Sequence, residues 1–87
     1  KKTNAVIILN SVIDIVEKAP QFEASIIEDL LRRQAEIMQL KAAELIHPTR
    51  LALSGRTNTP GLFEVMEILG REKCLQRLKK AVTYIES

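Results

Sequence analysis

Residues 48–70 read PTRLALSGRTNTPGLFEVMEILG, and the rest of the chain is organised around this stretch because it holds all three glycines and two of the three prolines. Gly55 and Gly70 can each end a helix from the position after its C-cap. Thr59 followed by Pro60 is typical of an N-cap with proline at the first helical position. The stretch is therefore predicted to be helix, loop and helix, with the second helix running from Pro60 to Leu69.

The predicted loop, residues 54–58, has two arginines in or beside it. Arg56 lies in the loop, and Arg50 lies about one turn before it on the incoming helix. A helix N-terminus exposes unpaired N–H groups and a partial positive charge, and guanidinium groups beside it add to the attraction of an anion. The stretch therefore predicts a site suited to phosphate groups.

Two amphipathic helices are predicted before this stretch. The first runs from a cap at Thr3 or Asn4 to about Lys18 and ends before Pro20. The second begins within residues 22–25, continues to about Leu40 and is expected to be the longest helix. Its expected inward residues are Ile26, Leu30, Ile37 and Leu40, with Ile27, Leu31 and Ala35 alongside. Its expected surface ion pairs are Glu28–Arg32 and Asp29–Arg33, four residues apart.

Pro48 lies inside the third apolar segment, residues 42–53. Two alternatives are open: a helix kinked at Pro48, or a turn at residues 45–46 followed by a helix that begins near Pro48. A fifth helix is expected over residues 71–85, after a break at Gly70. Because no segment shows persuasive strand alternation, the predicted fold class is all-α, a compact bundle of about five helices in one domain, residues 1–87.

Composition favours an aliphatic core and a modestly charged surface. The 87 residues are 46% hydrophobic but only 3% aromatic, and the net charge is +2. That charge is far below that of proteins that hold nucleic acid by electrostatics alone. Residues 1–44 have six basic and seven acidic side chains, whereas residues 45–87 have seven basic and four acidic. The basic surplus therefore lies in the half that contains the loop.

The chain has one cysteine and one histidine, Cys74 and His47. A single cysteine allows no intramolecular disulfide, so a reducing cytosol and a cytoplasmic location are predicted. The two side chains cannot build a structural metal site by themselves. His47 is expected to be a partly exposed helix-end residue, and Cys74 a small buried hydrophobe. No Ser or Cys nucleophile is spaced beside a base, so the chain is expected to be non-catalytic.

Neither a membrane span nor a signal peptide is predicted. The apolar run at residues 5–9 is interrupted well short of the roughly 20 residues that cross a bilayer. The basic start lacks the uninterrupted apolar region and the cleavage site of a signal peptide. A chain that begins Lys-Lys without Met is expected to be a fragment of a longer protein.

Three elements in and after the opening stretch resemble a known family. They are Arg50-Leu51-Ala52-Leu53-Ser54-Gly55, then Thr59-Pro60-Gly61-Leu62-Phe63-Glu64-Val65, and then Leu69-Gly70-Arg71-Glu72 with Arg77-Leu78. Together they closely resemble the closing segment of bacterial and organellar glutamyl-tRNA synthetases. That family has an arginine, one variable residue and Ala-Leu-Ser/Thr-Gly, then a Pro-Gly-Leu helix start, and Leu-Gly-Lys/Arg-Glu before the last helix. The resemblance is dense over residues 45–78 and diffuse over residues 1–44.

The resemblance implies that the chain recognises tRNA. In the family, the C-terminal helical domain grips the anticodon loop of tRNA(Glu) through the arginine of the first element and the Thr-Pro-Gly-Leu helix start. The implied binding residues are Arg50, Thr59, Pro60, Gly61 and Leu62, and Arg56 is the expected phosphate contact. Arg50 offers a stacking face and forked donors. Thr59 and the adjacent backbone offer hydrogen bonds to base edges, while Pro60 and Leu62 can support a base face.

The resemblance also implies a division of labour between the chain and its parent. The parent enzyme ligates glutamate to tRNA with ATP and Mg²⁺, and this chemistry would lie upstream. The chain itself is expected to hold no cofactor and to be a monomer. Its expected partner is the anticodon stem-loop of tRNA(Glu), with no DNA and no membrane. Whether the parent accepts only tRNA(Glu) or also tRNA(Gln) stays open.

Each binding residue also has a purely structural interpretation. Thr59 can be only an N-cap, Leu62 can be plain core, and Arg50 and Arg56 can be solvated surface. The cations of the last helix are expected to form a solvated face; they are Lys73, Arg77, Lys79 and Lys80. The alternative function is a helical protein-interaction module that uses Leu62, Phe63 and Met66 as a groove.

Overall fold

A computed structural model of the chain describes residues 2–54 and 61–87, and these two ranges contain five helices. They are α1 (Lys2–Lys18), α2 (Ala24–Ile37), α3 (Ala42–Ser54), α4 (Leu62–Leu69) and α5 (Arg71–Glu86). No strand occurs in these two ranges. The predicted all-α class and the predicted five-helix bundle are confirmed.

The helices α1 and α5 form the most extensive helix pair of the bundle. They are also the longest, with 17 and 16 residues, so the expectation that α2 would be the longest helix is wrong. The helix α3 packs on both of them, while α2 packs on α3 and α4. The C-terminal helix thereby holds together elements that are distant from it in the sequence.

The core is aliphatic, as composition predicted. Phe63 is the one aromatic side chain among the buried hydrophobic residues of the described chain, and it is 9% exposed. The other members of the core cluster are Leu9, Val12, Val16, Ile27, Leu31, Ala35, Leu45, Leu53, Leu62, Met66, Cys74 and Leu78. Thr49 is also fully buried, and its hydroxyl donates to the Leu45 carbonyl at 2.8 Å. A buried hydroxyl without such a partner would be costly.

The helix α2 ends three residues earlier than predicted and presents a different line of residues to the core. The N–H of Gln39 donates to Glu36 at 3.0 Å and the N–H of Leu40 donates to Ala35 at 2.8 Å, which is the Schellman pattern. Gln39 has the left-handed φ of 59° that this pattern requires. The buried residues of α2 are Ile27, Leu31 and Ala35. The predicted inward residues Ile26, Leu30 and Leu40 are only half-buried, and Ile37 is 74% exposed.

The sequence does not determine which residue of each apolar pair in α2, Ile26-Ile27 and Leu30-Leu31, faces the core. Packing against α3 and α4 buries Ile27, Leu31 and Ala35, which are spaced four residues apart. Ile26 and Leu30 lie beside these residues and are only half-buried. The two predicted surface ion pairs of α2 are confirmed. Arg32 lies 2.9 Å from Glu28, and Arg33 lies 3.1 Å from Asp29.

Pro48 lies inside α3, which is a single assigned helix from Ala42 to Ser54. The alternative in which a helix begins near Pro48 after a turn is therefore wrong. Because proline has no N–H, the Glu44 carbonyl loses its helical donor. Glu44 is an exposed residue, where water can satisfy a carbonyl, and its carboxylate accepts from the Lys41 N–H at 2.8 Å in the manner of a capping box.

The predicted starts of α1 and α4 are wrong by two or three residues. The helix α1 begins at Lys2, so Thr3 and Asn4 lie within it and do not cap it. The helix α4 begins at Leu62 and has Gly61 at the N-cap position, with a non-helical ψ of 128°. No helix in the described part of the chain combines the length and the apolar character that crossing a membrane requires.

Candidate nucleic-acid interface

The structure describes the predicted binding segment on both sides of residues 55–60, and the C-terminal end of α3 is the first of these two edges. Arg50 lies in the last two turns of α3 and its side chain is half-buried. One turn later, the Ser54 hydroxyl donates to the Arg50 carbonyl at 2.8 Å. The predicted residue Arg50 therefore lies on a regular helix that ends immediately before residues 55–60. The helix backbone fixes the direction in which the Arg50 side chain leaves the main chain.

Arg77 of α5 fixes this end of α3. Its Nη1 donates to the Leu53 carbonyl at 2.6 Å, across 24 residues of sequence. The last carbonyls of a helix have no partner within the helix, and the C-terminal end carries a partial negative charge. A guanidinium satisfies both requirements at once. Arg77 is exposed, as predicted for the cations of the last helix, and its side chain also anchors α5 to the helix that carries Arg50.

The second described edge of the segment is the start of α4. Gly61 is exposed, whereas the next two residues, Leu62 and Phe63, are buried in the core. Leu62 is 2% exposed, so its side chain holds the start of α4 in place and offers almost no surface to a ligand. Gly61, by contrast, presents its backbone to solvent at the predicted helix start.

A carboxylate lies beside Gly61 and changes the electrostatics predicted for this helix end. A methyl group at the Gly61 Cα would overlap the carboxylate of Glu64. Glu64 is in the first turn of α4, where a negative charge complements the helix dipole. The carboxylate of Glu64 thus complements the partial positive charge at the N-terminus of α4 and would repel a phosphate there. The cations at the end of α3 and on α5 are the better candidates for contacts with an anion.

Three of the predicted residues, Arg56, Thr59 and Pro60, lie outside the described residues. Of the six predicted tRNA-binding residues, the structure places Arg50 at the end of α3, and Gly61 with Leu62 at the start of α4. Six residues of sequence, 55–60, separate these two edges.

Cys74 and His47, the side chains considered for catalysis or metal binding, lie in surroundings that do not form a reactive site in the described part of the chain. Cys74 is fully buried, its Sγ lies 3.5 Å from the Met66 carbonyl, and burial raises the pKa of its thiol to about 11. The prediction that Cys74 is a small buried hydrophobe is confirmed. His47 is exposed but lies in the middle of α3, not at a helix end. Within residues 2–54 and 61–87, no group of three or more His, Cys, Asp or Glu side chains could hold a metal ion.

The fold and these helix ends define a small all-α module, and comparison with known proteins gives its class. The family model described as "Anticodon binding domain" matches residues 1–82. The chain belongs to this anticodon-binding domain family. The match includes residues 1–44, over which the sequence motifs gave only a diffuse resemblance.

Curated relatives carry the name of the synthetase that the motifs indicated. The chain is 56% identical over 77 residues to glutamate–tRNA ligase 1 of Syntrophomonas wolfei, covering 88% of this chain and 16% of the relative. It is 40% identical over 85 residues to glutamate–tRNA ligase 2 of Thermoanaerobacter pseudethanolicus, covering 98% and 18%. It is 52% identical over 66 residues to glutamate–tRNA ligase of Moorella thermoacetica, covering 76% and 14%. The predicted resemblance to glutamyl-tRNA synthetases is confirmed, and the chain spans less than a fifth of the length of these relatives.

Proposed function

We propose that the chain binds the anticodon loop of tRNA(Glu) as part of a glutamyl-tRNA synthetase. One observation carries the proposal: the family match spans residues 1–82 and so includes both binding motifs, of which Arg50 and Gly61 are described residues on either side of residues 55–60. Single-stranded loops are read by edge hydrogen bonds and by flat surfaces on which unstacked bases lie. A helix end with an arginine beside a short segment can supply both.

The proposed roles follow from exposure and chemistry. The Arg50 guanidinium stacks on a loop base or donates to its edge, and the exposed Gly61 backbone donates or accepts beside it. Arg56 contacts a phosphate, while Thr59 and Pro60 contact the base. Leu62 is 2% exposed, so its part in the proposal is to fix the Gly61 backbone from within the core.

The remaining chemistry belongs to the whole ligase in this proposal. Ligation of glutamate to tRNA uses ATP and Mg²⁺, and no step of it is assigned to residues of this chain, whose described part has no metal-binding cluster. The chain acts in the cytoplasm as a monomeric unit of tRNA selection. Correct contacts at the anticodon favour productive placement of the distant acceptor end.

The alternative function, a protein-interaction groove, is not supported by the structure. It required Leu62, Phe63 and Met66 to be accessible, but these side chains are 2%, 9% and 0% exposed. They pack inside the helical bundle and leave no groove at that position. The predicted groove is therefore wrong.

The test is a titration of the chain with the isolated tRNA(Glu) anticodon stem-loop, followed by amide chemical shifts, beside a stem-loop with a changed anticodon. We expect shifts to cluster at Arg50 and Gly61 and to weaken when the anticodon changes. Arg50→Gln should reduce affinity by about 1 to 3 kcal/mol, roughly 5- to 150-fold, as expected for loss of base stacking.

The matched control is Arg33→Gln, which also removes one positive charge, from an exposed ion pair on α2. It should leave affinity nearly unchanged. Equal binding of both stem-loops would contradict anticodon reading, and equal weakening by both variants would show that Arg50 acts only through net charge.

A further inference from the structure

One face of α5 concentrates positive charge. Lys73, Gln76, Arg77 and Lys80 line a shallow depression of about 360 Å³. At about 100° per residue, these positions and Tyr84 all fall within roughly 100° of the helix circumference. We call these five residues the α5 basic face. Tyr84 is 81% exposed, so the face ends in an accessible aromatic ring.

The cations of this face form no ion pair with a carboxylate in the described part of the chain. No acidic residue lies three or four positions before or after Lys73, Arg77 or Lys80 in the sequence. Like charges at these spacings oppose each other on a helix. The ion pairs formed by lysines elsewhere in the described ranges join Lys18 to Asp14 at 2.9 Å and Lys79 to Glu17 at 3.4 Å. The α5 basic face is thus an arrangement that an external anion would stabilise.

The position of the face relates it to the candidate interface. Arg77 is a member of the face and also donates to the Leu53 carbonyl, three residues after Arg50 on α3. The face is therefore continuous with the end of α3 that precedes the predicted loop. From Lys73 to Tyr84 the helix rises about 16 Å, which is several times the roughly 3.4 Å rise per phosphate along one strand of a duplex.

We propose that the α5 basic face is a second RNA-binding surface that holds the sugar-phosphate backbone beside the anticodon loop, with the Tyr84 ring stacking on an unpaired base. This inference rests on the proposed function and extends it, because it assigns to α5 the electrostatic part of binding. Phosphate contacts by lysine position the RNA without reading its sequence. An exposed tyrosine supplies the stacking surface that is otherwise scarce in a chain with 3% aromatic residues.

The test compares two double variants that each lose two positive charges. The face variant is Lys73→Gln with Lys80→Gln, and the control is Lys18→Gln with Lys79→Gln, whose lysines are already ion-paired. Binding of a fluorescent tRNA(Glu) anticodon stem-loop is measured by anisotropy at several KCl concentrations, after circular dichroism has shown unchanged helicity. Each phosphate contact contributes about 0.7 to 0.9 to the slope of log affinity against log salt. The face variant should lose roughly 1.5 from this slope, and the control should keep the wild-type value.

A further pair of variants tests the aromatic end of the face. Tyr84→Leu should weaken binding roughly fivefold or more with little change in the salt slope, whereas Tyr84→Phe, which keeps the ring, should bind like the wild type. Equal effects of the two Tyr84 variants, or equal slopes for the two double variants, would overturn the proposal.

The outcomes separate this inference from the proposed function. If Arg50→Gln weakens binding while the face variant matches its control, the anticodon interface stands and the α5 surface is wrong. If the face variant loses slope but stem-loops with changed anticodons bind equally, the α5 surface stands and anticodon reading is wrong. If the wild-type chain binds no stem-loop, both are wrong.

Discussion

Arg71 should be the surface arginine on which stability depends most. Its Nη1 donates to two carbonyls at the C-terminal end of α1, Val16 and Glu17, each at 3.0 Å. Its guanidinium also lies 5.5 Å from the centre of the Phe22 ring. One side chain at the start of α5 thus caps α1 and closes over the connection to α2. Arg71→Gln removes the positive charge, and the glutamine side chain is too short to make the two hydrogen bonds and the contact with Phe22.

The expected cost follows from adding these interactions with a discount for partial exposure. A hydrogen bond involving a charged group contributes about 1.5 to 3 kcal/mol when well shielded, and the bond to Glu17 is exposed. An exposed cation–π contact adds about 0.5 to 1 kcal/mol. Arg71 is half-buried, so we expect a total loss of about 2 kcal/mol. For a domain of this size, that loss lowers Tm by roughly 8 to 16 °C.

The assay is urea unfolding followed by circular dichroism, with Arg33→Gln as the matched control. Arg33 also carries one positive charge, but its ion pair with Asp29 leaves the two side chains 71% and 63% exposed. Such a pair contributes about 0.3 to 0.5 kcal/mol. Arg71→Lys should recover only part of the loss because an ammonium cannot reproduce the planar fork.

A smaller coupling should be measurable between Arg71 and Phe22. Combining Phe22→Leu with Arg71→Gln should give an interaction free energy of about 0.5 to 1 kcal/mol in a double-mutant cycle. A cost of no more than about 0.5 kcal/mol beyond the Arg33→Gln control would mean that the caps on α1 do not contribute to stability, because about 0.5 kcal/mol is the usual spread for surface substitutions.

Three further perturbations test single features of the bundle. Gly70 has φ 87° and ψ 160°, a conformation almost confined to glycine, and a methyl group at its Cα would meet nothing within 4 Å. Gly70→Ala should therefore cost about 1 to 3 kcal/mol by urea unfolding through backbone strain alone. The thiol of Cys74 has its pKa raised by burial from 9.0 to about 11, so this contribution to the free energy of unfolding is complete below pH 9 and is lost as the pH rises towards 11. Wild-type stability should fall across that window by up to about 1.4 kcal/mol per pH unit more than that of Cys74→Ala, and parallel pH profiles would contradict the assignment. The Glu67 carboxylate accepts from the Ala24 N–H at 2.8 Å, so Glu67→Ala should cost about 0.5 to 1 kcal/mol and speed amide exchange at the first turn of α2, whereas unchanged exchange would remove its capping role.

The number, class and approximate bounds of the helices could be predicted from the amino-acid sequence. Pro20 follows the end of α1 because proline restricts its own φ and lacks an N–H, and Gly70 separates α4 from α5 because its backbone conformation is almost confined to glycine. Pro48, by contrast, is accommodated inside α3. The family motif at Arg50 and the Pro-Gly-Leu helix start was equally readable, because it consists of neighbouring residues. These features are local, and local sterics and short-range hydrogen bonds decide them.

Which groups meet across the bundle could be learned only from the packing of the helices. The caps on α1, α2 and α3 come from Arg71, Glu67 and Arg77, which lie 55, 43 and 24 residues away from the backbone groups they contact. No spacing rule predicts such contacts, because their geometry depends on how the helices pack. The same packing selected Ile27 over Ile26 as a core residue of α2, and it placed the Arg77 guanidinium, otherwise an ordinary surface cation, against the helix that carries Arg50.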